Sequence, residues 1–142
     1  MKTAVVYWSG TGNTELMAKK VEEGAKAAGA EVSVFTAAEF SAAKLDEFDA
    51  IAFGCPSMGD EQLEEAEFEP MFTSCIPGLQ KKKVGLFGSY GWGDGQWMRD
   101  WEDRMKAAGA VLVGREGVIA SEAPDGDALE QCRALGRELA SL

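Results

Sequence analysis

The sequence predicts a doubly wound α/β fold, a three-layer sandwich in which helices cover both faces of one parallel sheet. The first observation is that strand and helix signals alternate along the whole chain with short connections. The second is that the signals at 2–8 and 50–55 are apolar runs, which are typical of strands buried on both faces. Because the chain has 142 residues, 46% of them hydrophobic, we expect a single domain spanning 1–142.

The individual elements follow from periodicity and from their end signals. Apolar residues at Leu16, Met17, Val21 and Ala25 predict the first helix, and Gly29 ends it. The predicted strands are 2–8, 31–35, 50–55, 83–88 and 111–120, the last with a break expected at Gly114 or Gly117. The predicted helices are 13–28, 41–47, 69–79 with Pro77 near its end, 96–108 with Asp94 as a plausible N-terminal cap, and 127–139.

Composition excludes several classes of function. The formal charge of −10 would repel nucleic acids and anionic membranes but attract a basic protein partner. The absence of histidine removes the commonest general base and metal ligand, and this weighs against hydrolytic chemistry. Cys55, Cys75 and Cys132 form neither a disulfide framework nor a CxxC motif, and nothing resembles a signal peptide or a membrane span. We therefore expect a cytoplasmic protein.

The loop at residues 9–14 is the strongest ligand-binding signal in the chain. It joins the first strand to the first helix, where parallel α/β sheets bind ligands at the carboxyl ends of their strands. Two glycines allow close approach to a ligand, while hydroxyls, an amide and the free N–H groups of a helix N-terminus supply neutral donors for a phosphate. The loop lacks the Walker A and GxGxxG patterns, which favours a mononucleotide. The plainer interpretation is a strand-to-helix turn with a Thr or Asn cap.

Three stretches together resemble the FMN-binding motifs of the flavodoxin family. They read YWSGTGNTE at 7–15, CPSMGDE at 55–61 and GSYGWGDG at 88–95, and the similarity is closest to short-chain flavodoxins of anaerobic bacteria. The resemblance implies the strand order 2-1-3-4-5 and FMN at the switch point between strands 1 and 3. It also implies a low-potential carrier that moves single electrons between redox proteins, using the semiquinone and hydroquinone states of noncovalent FMN, without a substrate of its own.

The resemblance also assigns roles to individual residues. Trp92, a large aromatic in a glycine-rich loop without an obvious core position, would stack on the outer face of the flavin, and Met58 would form the inner wall. Glu61 would accept a hydrogen bond from flavin N3–H. Pro56 departs from relatives that have serine there, and Ser57 is the candidate to compensate. The full set of expected cofactor-binding residues is Ser9, Gly10, Thr11, Gly12, Asn13, Thr14, Ser57, Met58, Gly59, Asp60, Glu61, Ser89, Tyr90, Gly91, Trp92 and Gly93.

Other features of the sequence allow two interpretations each. The acidic run at 60–69 is either a solvated face or a surface for docking and redox tuning. Cys55 is expected to be a buried structural thiol, and Trp97 and Trp101, spaced i, i+4, are expected to pack in the core. We expect a monomer that docks on basic redox partners. The rival hypotheses are a small FMN-dependent reductase of a quinone and a regulatory module that has lost its flavin.

Overall fold

A parallel sheet with helices on both faces forms the structure. The computed structural model describes residues 2–59, 61–91, 93–114 and 116–141. The strands are β1 (Lys2–Tyr7), β2 (Glu31–Thr36), β3 (Ala50–Gly54), β4 (Lys83–Tyr90), β5 (Val111–Leu112) and β6 (Val118–Ser121). The helices are α1 (Asn13–Ala27), α2 (Phe68–Cys75), α3 (Gln96–Ala107) and α4 (Gly126–Ala140), with shorter 3-10 turns at Ala37–Glu39, Ala42–Glu47 and Ile76–Gly78.

The sheet has the order β2-β1-β3-β4-β5 and all of its pairs are parallel. β6 also pairs with β4, further along the same edge as β5, so that the two short strands share the fifth position. The predicted order and the predicted break are therefore confirmed. Between the two pieces, Gly114 adopts φ +80 and the Gly117 N–H donates to the buried carboxylate of Glu102 at 2.6 Å.

Successive residues of β1 point into two separate cores. Ala4 and Val6 are buried in the core that α2 and α3 cover, whereas Val5 is buried in the core that α1 and α4 cover. This alternation is the period of two that a strand imposes on its side chains. A strand can bury all of these residues only if both faces of the sheet are covered, as the apolar run predicted.

Helix ends are the part of the prediction that needs correction. Asp94 does not cap α3, whose N-cap is Gly95 with φ +93. α4 begins at Gly126, because the Asp125 carboxylate accepts the Ala128 N–H at 2.8 Å. The predicted helix at 41–47 is a 3-10 turn, and Pro77 lies in a second 3-10 turn directly after α2. Over the described ranges, no helix is both long and apolar enough to cross a bilayer.

Candidate functional site

A cavity of about 300 Å³ lies where the loops after β1, β3 and β4 converge. The strand order reverses between β1 and β3, so their loops run to opposite faces and leave a crevice between them. The residues that line the cavity are Trp8, Gly10, Thr11, Asn13, Pro56, Ser57, Met58, Ser89, Tyr90, Gly91 and Glu122. The three loops that the sequence singled out therefore share one cavity.

The first loop is shaped by Ser9 and Gly12. Gly12 adopts φ +97, a conformation that an L side chain resists, and this lets the chain turn directly into α1. The Ser9 Oγ accepts the N–H groups of Gly12 at 3.1 Å and Glu15 at 3.3 Å. Ser9 thus closes the loop on itself, and its own hydroxyl proton remains available to a ligand.

Several backbone donors at the start of α1 are free. Within the described ranges, no acceptor is present for the N–H groups of Thr11, Asn13 and Thr14. Such groups at a helix N-terminus attract an anion, because their dipoles add to the dipole of the helix. Thr11 and Asn13 also line the cavity. The loop is therefore suited to holding a phosphate by neutral donors.

Thr14 and Ser89 join the first loop to the third. Their hydroxyl oxygens lie 3.2 Å apart, and both residues are buried, with Thr14 only 1% exposed. One hydroxyl donates to the other, which leaves one proton free to donate elsewhere. Ser89 belongs to the described wall of the cavity and Thr14 does not. The structure thus places Thr14 beneath the loop, where it supports Ser89.

The second loop forms a tight turn at the cavity wall. The Met58 N–H donates to the Gln62 carbonyl at 2.7 Å, and the Gln62 N–H donates back to the Met58 carbonyl at 2.8 Å. Inside this turn Gly59 has φ +52 and Glu61 has φ +55. Met58 is 38% exposed although it is a large apolar side chain, and it lines the cavity with Pro56 and Tyr90. A flat apolar ligand would cover this exposed surface.

Two residues expected near the flavin, Asp60 and Trp92, lie outside the described residues. Glu61 is placed away from the cavity, and its carboxylate accepts the Gln96 N–H at 3.1 Å at the start of α3. A Cβ built on Gly93 would lie 2.5 Å from the same carboxylate oxygen, so Gly93 is the close neighbour of Glu61. The role of Glu61 at flavin N3–H stays a prediction, and the second carboxylate oxygen is the one that could accept that bond while the first accepts the Gln96 N–H.

The cavity includes residues that were not expected in it. Glu122 follows β6 and donates its N–H to the Tyr90 carbonyl at 2.7 Å. The signal was available, since β6 is a parallel neighbour of β4 and its carboxyl end reaches the same edge of the sheet. Trp8 lies within the first motif and forms part of the wall, and Pro56 contributes apolar surface although it has no donor.

The acidic run at 60–69 is partly built into the fold. The Glu64 carboxylate accepts three backbone N–H groups at 2.8 Å, those of Ala66, Glu67 and Phe68. Burial raises the pKa of Glu64, but the three backbone donors together lower it by more than burial raises it. The pKa of Glu64 therefore lies below its usual range. Glu64 therefore remains charged and fixes the start of α2.

Glu69 is also engaged, because its carboxylate forms a two-pronged ion pair with Arg104 at 2.8 Å for each bond. The Arg104 guanidinium holds the pKa of Glu69 below its usual range. Glu65, in contrast, is exposed and accepts no hydrogen bond within the described ranges. The run is therefore neither wholly a solvated face nor wholly a docking surface.

The expectations that Cys55 is a buried structural thiol and that Trp97 and Trp101 pack in the core are confirmed. Cys55 is fully buried, its Sγ accepts the Glu64 N–H at 3.3 Å, and burial raises the pKa of the thiol. Such a thiol is protonated and unreactive. Trp97 and Trp101 are both buried in the core on the α2 and α3 side of the sheet.

The doubly wound α/β fold, with a cavity at the carboxyl ends of its strands that combines free backbone N–H groups and exposed apolar side chains, is typical of proteins that bind a mononucleotide. The family model described as Flavodoxin matches residues 5–136. The chain is 46% identical to the flavodoxin of Megasphaera elsdenii, with 96% of each chain covered. It is 44% identical to the flavodoxin of Clostridium beijerinckii, with 97% of this chain and 99% of that one covered.

The solution structure of two-electron reduced Megasphaera elsdenii flavodoxin superposes with a TM-score of 0.86 at 44% identity. That alignment covers 97% of this chain and 98% of the other. The chain therefore belongs to the flavodoxin family. It is an FMN-binding electron-transfer protein rather than an enzyme with its own substrate.

Proposed function

We propose that this chain is a low-potential carrier that uses the lower of the two one-electron steps of FMN, with the cofactor held in the cavity between the three loops. The phosphate would lie on residues 9–14, and the ring would lie between Met58 and Trp92. The observation that carries this assignment is the set of free N–H groups at the start of α1, beside a cavity with exposed apolar walls. Bound FMN supplies the one-electron chemistry, and the protein controls its potential.

The charges of the chain support the low potential. Reduction of FMN to its anionic form adds a negative charge to a protein whose formal charge is already −10. Glu122 belongs to the wall of the cavity itself, while the first loop contains no lysine or arginine to compensate its charge. Each nearby carboxylate opposes the extra electron, so the potential of the second step falls.

The same charges support a basic redox partner, since a negative surface attracts a positive one and speeds their encounter. We further propose that the protein acts as a monomer in the cytoplasm. A reducing compartment suits three thiols that are all free and buried. Sedimentation of the FMN-loaded protein at two concentrations tests the monomer.

Replacement of Thr11 by alanine tests the phosphate assignment. Each hydrogen bond to a charged group contributes about 1.5–3 kcal/mol, so FMN affinity should fall roughly tenfold to a hundredfold. Riboflavin has no phosphate, so its affinity should stay unchanged. Calorimetric titration of the apoprotein measures both affinities. Thr73→Ala is the matched control, because that hydroxyl lies on α2 and donates to Glu69. Equal losses for FMN and riboflavin would contradict the assignment.

A further inference from the structure

Trp8 bridges two parts of the site that are far apart in sequence. It directly follows β1, and its backbone N–H donates to the Gly54 carbonyl at 3.0 Å, which fixes its main chain against β3. Its indole Nε1–H donates to the Glu67 carboxylate at 3.0 Å. Glu67 stands at the N-cap position of α2, and within the described ranges its side chain accepts no bond from that helix. The hydrogen bond that the structure gives its exposed carboxylate is the one from Trp8.

The indole ring of Trp8 also supports the first loop. A Cβ built on Gly10 would lie 3.0 and 3.3 Å from two ring carbons, so the loop backbone passes in contact with the ring. The ring therefore limits how far the backbone at Gly10 can move toward it. The N–H groups of Thr11, Asn13 and Thr14, which are free to bind an anion, follow Gly10 in the same loop.

Trp8 is, in addition, a wall between two cavities. A second cavity, of about 580 Å³, opens on the other side of the first loop toward residues 36–38. Trp8, Gly10 and Thr11 line both this cavity and the smaller one in which the three loops meet. Without the ring in place, a ligand in the smaller cavity would have a larger space open beside its phosphate end.

We propose that Trp8 is a positioning residue for FMN and that its hydrogen bond to Glu67 holds it in place. The ring supports the phosphate loop at Gly10 and separates the two cavities. The preference for FMN over riboflavin then depends on a residue that does not itself bind the phosphate. The inference rests on the proposed function, because it needs the phosphate to lie on residues 9–14.

If only its charge mattered, loss of Glu67 would change FMN affinity in the direction opposite to the one that the hydrogen bond predicts. Glu67 lines the larger cavity together with Gly10 and Thr11, so its negative charge is close to the expected phosphate. Removal of a negative charge beside a phosphate should strengthen FMN binding. If the hydrogen bond to Trp8 is what matters, loss of Glu67 should weaken FMN binding instead.

The experiment compares FMN and riboflavin binding to the apoprotein for four variants. Trp8→Phe removes the N–H donor together with the two indole carbons that lie against Gly10, and Glu67→Met removes both the acceptor and the charge. Glu67→Gln removes the charge but keeps an oxygen acceptor. Glu65→Met is the matched control, because it removes the same charge from an exposed side chain without a hydrogen bond.

We expect the ratio of FMN affinity to riboflavin affinity to fall about tenfold in Trp8→Phe and in Glu67→Met, which corresponds to about 1.4 kcal/mol. Glu67→Gln should keep or raise the ratio, because the oxygen acceptor stays while the negative charge beside the expected phosphate is lost. Glu65→Met should keep the ratio. The double variant Trp8→Phe/Glu67→Met should lose no more than Trp8→Phe alone, because the hydrogen bond to Glu67 is already absent from that single variant. Far-UV circular dichroism of each apoprotein checks the fold, and Trp8→Phe against Glu67→Gln suffices if Glu67→Met does not fold.

An unchanged ratio in Trp8→Phe, or an equal loss in Glu67→Gln and Glu67→Met, would overturn the proposal. The proposed function fails differently. If the unmodified protein bound FMN and riboflavin equally well, the phosphate site itself would be wrong. If Thr11→Ala lowered the ratio while Trp8→Phe did not, the phosphate site would stand and only the role of Trp8 would fall.

Discussion

Replacement of Gly59 by threonine tests whether the turn at Met58–Gln62 changes conformation with the oxidation level of bound FMN. Gly59 has φ +52, and a Cβ built on it meets no atom within 4 Å. A threonine side chain would therefore fit in space, and its cost would come only from the backbone. That cost is about 1–3 kcal/mol for a non-glycine residue in a sparsely populated conformation.

The consequence depends on whether the turn moves. In a static turn the cost is the same at every oxidation level, so only stability falls. In a turn that changes the conformation of Gly59, the cost differs between levels and appears in the potentials. At about 59 mV for each tenfold change, a cost of about 1–3 kcal/mol corresponds to roughly 40–130 mV. We expect the two one-electron potentials to move toward each other by this order of magnitude.

Spectroelectrochemical titration of the FMN-loaded variant measures both potentials. Gly29→Thr is the matched control, because Gly29 has φ +94, also has open space around its Cβ, and lies beyond the end of α1. Both variants should lose stability, but only Gly59→Thr should shift the potentials. An unchanged separation of the two potentials in Gly59→Thr, with FMN fully bound, would show that the turn is static.

Two further predictions concern the acidic residues. Glu64→Gln should lower the free energy of unfolding by about 2–4 kcal/mol, because an amide offers one acceptor oxygen and no charge to backbone donors, while Glu65→Gln should change it little. The pKa of Glu64 is lower in the folded protein than in the unfolded chain, so the charged carboxylate stabilises the fold fully above the usual pKa of glutamate. This stabilisation is lost as the pH falls through the pKa of the folded protein. Denaturation curves of Glu64→Gln and of the unmodified protein should therefore converge in acid. Glu122→Gln should raise the lower potential by roughly 20–70 mV, because a charge about 10 Å away contributes about 0.4–1.7 kcal/mol. Glu31→Gln, at the opposite end of the sheet, should leave that potential unchanged, and a rise equal to that of Glu122→Gln would refute a local effect.

The contacts of the acidic run determine at which residues a change of charge can test the potential of FMN. The sequence presents the acidic run at 60–69 either as a solvated face or as a surface for docking and for tuning the potential. In the folded protein Glu64 fixes the start of α2, Glu67 holds Trp8, and Glu69 pairs with Arg104. Neutralisation of these residues would alter the shape of the site along with its charge. Glu122 and Glu65 are the residues at which charge can be changed with less effect on structure.

Sequence patterns were sufficient wherever the determining interaction is local. Alternation of apolar runs with helical periodicity predicted the parallel sheet, because a strand or helix shows its buried face in the spacing of its own side chains. The turn at Gly12 and the free N–H groups beside it follow from the residues of the loop at 9–14, and the phosphate that they would bind stays a prediction. Burial of Cys55 followed from its place at the end of an apolar strand.

Tertiary structure alone decided the partners of side chains that meet across long stretches of sequence. Trp8 and Glu67 are 59 residues apart, and the oxygens of Thr14 and Ser89 meet across 75 residues. Glu61 also has a partner that is distant in sequence. The turn at residues 58–62 places its carboxylate where it accepts the Gln96 N–H at the start of α3. A carboxylate has the same donors and acceptors wherever it stands in the sequence, and only the packing of the helices on the sheet determines which N–H it reaches.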